Sequence, residues 1–93
     1  MSVTVMIPTA LRSYADGADS IEAQPGDVGG VLKQVAAKFP RLKPHLFSDA
    51  GELRSFVNVF VNEDNIRDRK DLETEVKNGD TISILPSIAG GNS

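Results

Sequence analysis

The apolar residues between positions 28 and 39 constrain the fold more than any other stretch of the chain. Val28, Val31, Leu32, Val35, Ala36 and Phe39 recur at the spacing of one helical face. Asp27 stands just ahead as an N-cap whose carboxylate accepts a backbone N–H, and Pro40 closes the segment because it cannot continue a helix. One amphipathic helix cannot cover its own apolar stripe and needs a second apolar layer against it. The other apolar residues of the chain recur mostly at period two, so that layer has to be a sheet.

The period-two runs lie on both sides of the helix. Val3, Val5 and Ile7 alternate with Ser2, Thr4 and Met6, predicting a strand over 2–7 that Pro8 closes. A polar loop with Asp16 and Gly17 leads to a second short strand over 20–23, ended by Pro25 and Gly26, and the pair reads as an antiparallel hairpin. Residues 41–53 read as an irregular connection in which Leu42, Leu46, Phe47 and Leu53 form a satellite cluster. Residues 54–61 read as the central strand, with Val57, Val59 and Val61 toward the helix and Phe56, Asn58 and Phe60 on the other face. Residues 62–65 turn, Ile66 begins a short weak strand, and 71–76 reads as a single helical turn. Asn78, Gly79 and Asp80 make a tight turn before a last strand over 81–85, which Pro86 ends. With the last strand beside the first, the expectation is an α+β domain: a mixed sheet of four to five strands with one main helix packed across it, the order of the β-grasp, or ubiquitin-like, fold. The domain is expected over 1–86, followed by a flexible tail over 87–93 with almost no side-chain bulk.

Composition narrows the function classes. A chain of 93 residues holds one small domain, with a core but no room for a large substrate pocket, which favours a compact binding or carrier module. Ten basic against 13 acidic residues give a net charge of -3, which argues against a nucleic-acid binder that needs a concentrated basic surface. Seven acids and four bases fall between positions 63 and 80, so the whole negative excess lies there, as a solvated surface or as a docking surface for a basic partner. Without cysteine there is no disulfide, no thiolate nucleophile and no usual zinc site. No apolar run approaches the length of a membrane span and the start lacks the basic residues of a signal peptide, so the expected address is the cytoplasm. Gly29 and Gly30, in the first helical turn, mark either close backbone packing or a frayed start. They form no phosphate loop, because Val31 and Leu32 stand where Lys and Ser or Thr would be required.

The most informative segment is the end: Leu85-Pro86-Ser87-Ile88-Ala89-Gly90-Gly91, a strand running directly into Gly-Gly. Together with Val3 to Ile7, Phe56-Val57-Asn58-Val59-Phe60-Val61-Asn62 and Asn78-Gly79-Asp80 before the last strand, it resembles the bacterial sulfur-carrier family of MoaD, ThiS and CysO over essentially the whole chain. The ending looks most like the cysteine-forming carriers. The resemblance implies a protein cosubstrate, not an enzyme, with no catalytic residue and no metal site of its own. Its terminal glycine carboxylate would be adenylated from ATP by a ubiquitin-activating-like adenylyltransferase, the nucleotide being consumed by that enzyme and no cofactor being permanently bound. The adenylate would then become a thiocarboxylate that delivers sulfide to a sulfur-accepting synthase, of the cysteine synthase type or the large subunit of molybdopterin synthase; a thiamine sulfur carrier, a ubiquitin-like protein modifier and a β-grasp interaction domain whose tail is never activated are the alternatives. Gly91 would be the reacting residue and Gly90 its clearance, because a carboxylate sliding through a narrow channel cannot carry side chains behind it. Asn92 and Ser93 depart from the family pattern: with them in place Gly91 is an amide. The resemblance implies trimming at Gly91, Asn92 and Ser93 by a JAMM-type metallopeptidase; an artificial addition or an inactive relative are the other readings.

On the sheet, Met6, Phe56, Phe60 and Leu85, with Pro86 beside them, form the expected partner-binding patch on the face away from the helix. The competing reading packs Phe56 and Phe60 on each other or beneath a loop. His45, between Pro44 and Leu46, reads as solvent-facing or structural, and Arg12 and Arg54 as surface ion pairs or contacts to an acidic partner.

Overall fold

Alternation of Val3 and Val5 with Thr4 and Met6 drives the first strand, and the computed structural model, which describes residues 2–86, places both valines in the core. The elements in chain order are β1 (Val3–Met6), a 3-10 helix (Thr9–Ala15), β2 (Ser20–Ala23), β3 (Gly26–Asp27), α1 (Val28–Lys38), a 3-10 turn (Pro40–Leu42) and α2 (Lys43–Leu46). There follow β4 (Val57–Val61), β5 (Asp64–Asn65), 3-10 turns over Ile66–Asp68 and Asp71–Glu73, β6 (Glu75–Val76) and β7 (Thr81–Pro86). Five strands form the main sheet in the order β2-β1-β7-β4-β5, and β3 pairs with β6 in a small second sheet. The β1–β2 pair is antiparallel, β7 lies parallel to β1, and β4 runs antiparallel to β7. This is the β-grasp order.

Helix α1 lays Val28, Val31, Leu32 and Val35 on the sheet, where they meet Val3, Val5, Val57, Val59, Ile82 and Ile84 in one buried cluster. Its start is capped as the sequence predicts: Asp27 Oδ1 accepts from the Gly30 amide at 2.7 Å. Replacing Asp27 by Ala is expected to cost about 1 kcal/mol, read as a lowered denaturation midpoint with the native fold retained. The two glycines of the first turn mark close packing and not fraying. A Cβ on Gly29 would stand 3.3 Å from both Cβ and the carbonyl oxygen of Leu72.

Five expectations change. The central strand is β7, not β4, because β7 alone of the two has long partners on both sides. β4 also starts at Val57; residues 54–56 precede it, with Arg54 turned back to donate its amide to the Leu46 carbonyl. Residues 41–53 are not an irregular satellite: Leu42, Leu46 and Phe47 belong to the main core, brought there by the 3-10 turn and α2. Ile66 begins no strand; it is a buried core residue opening a 3-10 turn whose start Asn65 caps by accepting from the Arg67 amide. The turn over 71–76 stops at Glu73, since the chain straightens to pair β6 with β3 and the Thr74 carbonyl accepts from the Val28 amide at 3.0 Å.

Candidate functional site

β7 leads from the middle of the sheet to the Gly-Gly segment. Paired on one flank with β1 and on the other with β4, it is held on both sides, and Pro86 lies opposite Val57, the first residue of β4. Gly90, Gly91, Asn92 and Ser93 lie outside the described residues. What the structure does show is the platform at the base of that segment.

Alternation along the strands gives that platform two unlike faces. Ile82 and Ile84 are buried under α1, while Leu85 between them and the tail is half exposed at 50%. Val57 and Val59 are buried and Phe60 is partly exposed on the other side; Met6, beyond Val5, is 40% exposed. The register aligns Met6 with Ser83 and Ser83 with Phe60, so these three cross the sheet in one row. Leu85 pairs with Asn58 in the next row toward the tail. Met6, Phe60 and Leu85 therefore share one open face, as predicted.

The other two nominated residues fall differently. Phe56 is 43% exposed in the turn before β4, so it is not sheltered beneath a loop. Among the described residues the one stacked ring pair is Tyr14 with His45, so Phe56 and Phe60 do not pack ring on ring. Pro86 alternates with Leu85 and so falls on the helix side of β7, at the root of the tail and not in the open-face row.

One residue that sequence reading missed braces this region. Arg67 Nη2 donates to the carbonyls of Ser55 at 2.6 Å and Val57 at 3.2 Å, and Nη1 reaches Asn58 Oδ1 at 3.3 Å. Its guanidinium thus ties together the start of β4, the segment in register with Leu85 and Pro86. No sequence signal marks it, because its acceptors are two backbone carbonyls and the Asn58 amide oxygen, nine to twelve positions away. Arg12 and Arg54 likewise serve the backbone and form no ion pair among the described residues: Arg12 Nε donates to the Ile7 carbonyl at 3.0 Å and Arg54 Nε to that of Pro44 at 2.6 Å. His45 is structural, stacked on Tyr14 with ring centroids 4.1 Å apart. Among the described residues no group of three or more His, Asp or Glu side chains is placed to hold a metal ion, and no described helix is long and apolar enough to cross a membrane.

The sequence pattern of the ThiS family matches residues 5–91, from β1 through the second glycine of the Gly-Gly pair. The chain belongs to the ThiS family. A relative, the sulfur carrier protein CysO of Mycobacterium tuberculosis, is 38% identical over 93 residues, covering 98% of this chain and all of the relative. The molybdopterin synthase sulfur carrier subunit of the same organism is 30% identical over 94 residues, covering 98% of this chain and 99% of the relative. In the crystal structure of the Amycolatopsis orientalis BexX/CysO complex, a matching chain superimposes with a TM-score of 0.87 at 42% identity, covering 96% of this chain and 99% of that one. The β-grasp assignment and the family expected from the tail motif both stand on these likenesses.

Proposed function

We propose that this chain is a sulfur carrier that works on a backbone carboxylate. The observation that carries the reading is the extent of the family match, which covers residues 5–91 and so includes both Gly90 and Gly91. Hydrolysis of the Gly91–Asn92 amide by a JAMM-type metallopeptidase frees the Gly91 carboxylate. A ubiquitin-activating-like adenylyltransferase then joins that carboxylate to the α-phosphorus of ATP, with pyrophosphate leaving. A sulfur nucleophile displaces AMP, and the resulting thiocarboxylate yields its sulfur to an acceptor enzyme. The domain's own share is to present the glycine end from a fixed root and to be recognised; the chemistry belongs to partner enzymes in the cytoplasm.

Cysteine formation is the favoured destination of the sulfur, supported by 38% identity to CysO against 30% to the molybdopterin synthase subunit at similar coverage. Purified thiocarboxylate tested on a cysteine synthase and on a molybdopterin synthase large subunit decides between them. Sulfur release to the first alone is the expected result, and release only to the second overturns the assignment.

The open face of Met6, Phe60 and Leu85 is the docking surface for the activating enzyme, since apolar side chains in adjoining rows beside the tail root give a partner both grip and register. Leu85→Glu and Phe60→Glu place charge on that face without touching the buried side of the sheet. Each is expected to abolish Gly91-dependent ATP–pyrophosphate exchange while circular dichroism and thermal unfolding remain close to those of the parent. Exchange at the parental rate in a folded Leu85→Glu variant removes the face from the account.

A further inference from the structure

The opposite side of the domain carries a second surface that sulfur transfer does not use. Between the outer side of α1 and the segment after α2 lies an open groove of about 480 Å³, lined by Lys33, Ala37, Pro40, Lys43, Phe47 and Gly51, with Ala36 at its floor. The walls are apolar and the cations stand at the rim. This groove belongs to a segment of unusual charge: residues 28–48 hold Lys33, Lys38, Arg41 and Lys43 and no acid, in a chain whose net charge is -3. Lys38 lies over the Phe39 ring at 6.0 Å and Arg41 over the Tyr14 ring at 5.8 Å. Lys33 and Lys43 are exposed, and their side-chain ammonium groups have no hydrogen bond or ion pair among the described residues. The two cations that line the groove are therefore the two without a partner. Across from them Gly51 lies between Asp49 and Glu52 in the sequence, so the positive rim is confined to the helical side.

We infer that this groove is a docking site for an acidic peptide segment of a partner protein, one carrying an apolar side chain that enters between Ala37 and Phe47 and carboxylates that meet Lys33 and Lys43. Charge complementarity selects the acid, and the apolar floor selects a peptide over a nucleic acid, whose phosphates need a broader cationic track. Because α1 lies between the groove and the sheet, a partner held here leaves Met6, Phe60, Leu85 and the tail root free. The domain can thus be tethered by one protein while its glycine end is worked on by another. This inference stands apart from sulfur carriage and fails or survives on its own.

The test is amide chemical-shift mapping of the full chain with the peptide Asp-Glu-Phe-Leu-Asp-Glu. Its controls are Lys-Lys-Phe-Leu-Lys-Lys, Asp-Glu-Gly-Gly-Asp-Glu and a single-stranded RNA of similar length. Saturable shifts confined to the amides of Lys33, Ala37, Lys43, Phe47 and Gly51 are expected, weakened at least about tenfold in the folded double variant Lys33→Glu with Lys43→Glu. Raised salt is expected to weaken them too, while both changes in peptide sequence abolish them. The proposal is overturned by shifts on the open sheet face, by equal binding of the lysine peptide or of RNA, or by unchanged affinity in the double variant. Absence of any shift at millimolar peptide, or shifts that follow protein concentration alone and so report a second copy, overturns it as well.

Discussion

Ending the chain at Gly91 is expected to convert an inert protein into an adenylation substrate. In the 93-residue form the Gly91 carbon is an amide and has no carboxylate oxygen to attack phosphorus, so ATP–pyrophosphate exchange should stay at background until Asn92 and Ser93 are removed. A version terminated at Gly91 should exchange without any peptidase. Adding Gly90→Val to that version is expected to lower the rate about 100-fold or more, since a branched side chain one residue behind the reacting carbon disturbs its approach and narrows the backbone angles that glycine permits. Coincident thermal unfolding of the two Gly91-ended forms is expected, and separates this loss from one caused by unfolding. Exchange by the full-length form equal to that of the Gly91 form would show that Asn92 and Ser93 are no block.

The second large effect lies in the sheet. Ile82 is fully buried in β7, between Val5 of β1 and Val61 of β4 in the register. Ile82→Ala removes three carbons from a site surrounded on both flanks by other strands and covered by α1, where collapse around the cavity is restricted. The expected cost is about 3 kcal/mol, within the range for buried large-to-small changes. For a domain of this size that is a fall in Tm of roughly 12 to 24 °C and a sizeable share of a total stability of about 5 to 15 kcal/mol. Leu85→Ala, three residues on and half exposed, should change stability by no more than about 0.5 kcal/mol. Equal losses at the two positions would contradict the assignment of faces.

What the sequence revealed follows from how far a periodic signal extends. β1, β2, α1 and β7 each repeat their period often enough to be read, and Asp27 announces its helix because capping chemistry is local. β3 and β6 are two residues each, too short for any period, and exist through pairing with one another. The 3-10 helix over Thr9–Ala15 buries only Leu11 and Ala15, a spacing lost in what reads as a polar loop. The central place of β7 depends on long-range pairing, which a strand's own residues do not encode. For the site, Met6, Phe60 and Leu85 were legible because strand parity is strict once a face is buried. The same parity assigns Pro86 to the other side, although it stands next to Leu85 in the sequence. Arg67 was invisible because its role rests on carbonyls of Ser55 and Val57, and any residue type presents a carbonyl.

The central claim is that sulfur rides on the Gly91 carboxylate, and intact mass of the native protein from cells containing the peptidase tests it most directly. The account predicts a species that has lost Asn92 and Ser93 and has one oxygen replaced by sulfur, reverting to the plain Gly91 acid after the sulfur is delivered. Retention of Asn92 and Ser93 in every condition with no such exchange would contradict it, as would higher-mass conjugates to other proteins in place of the thiocarboxylate.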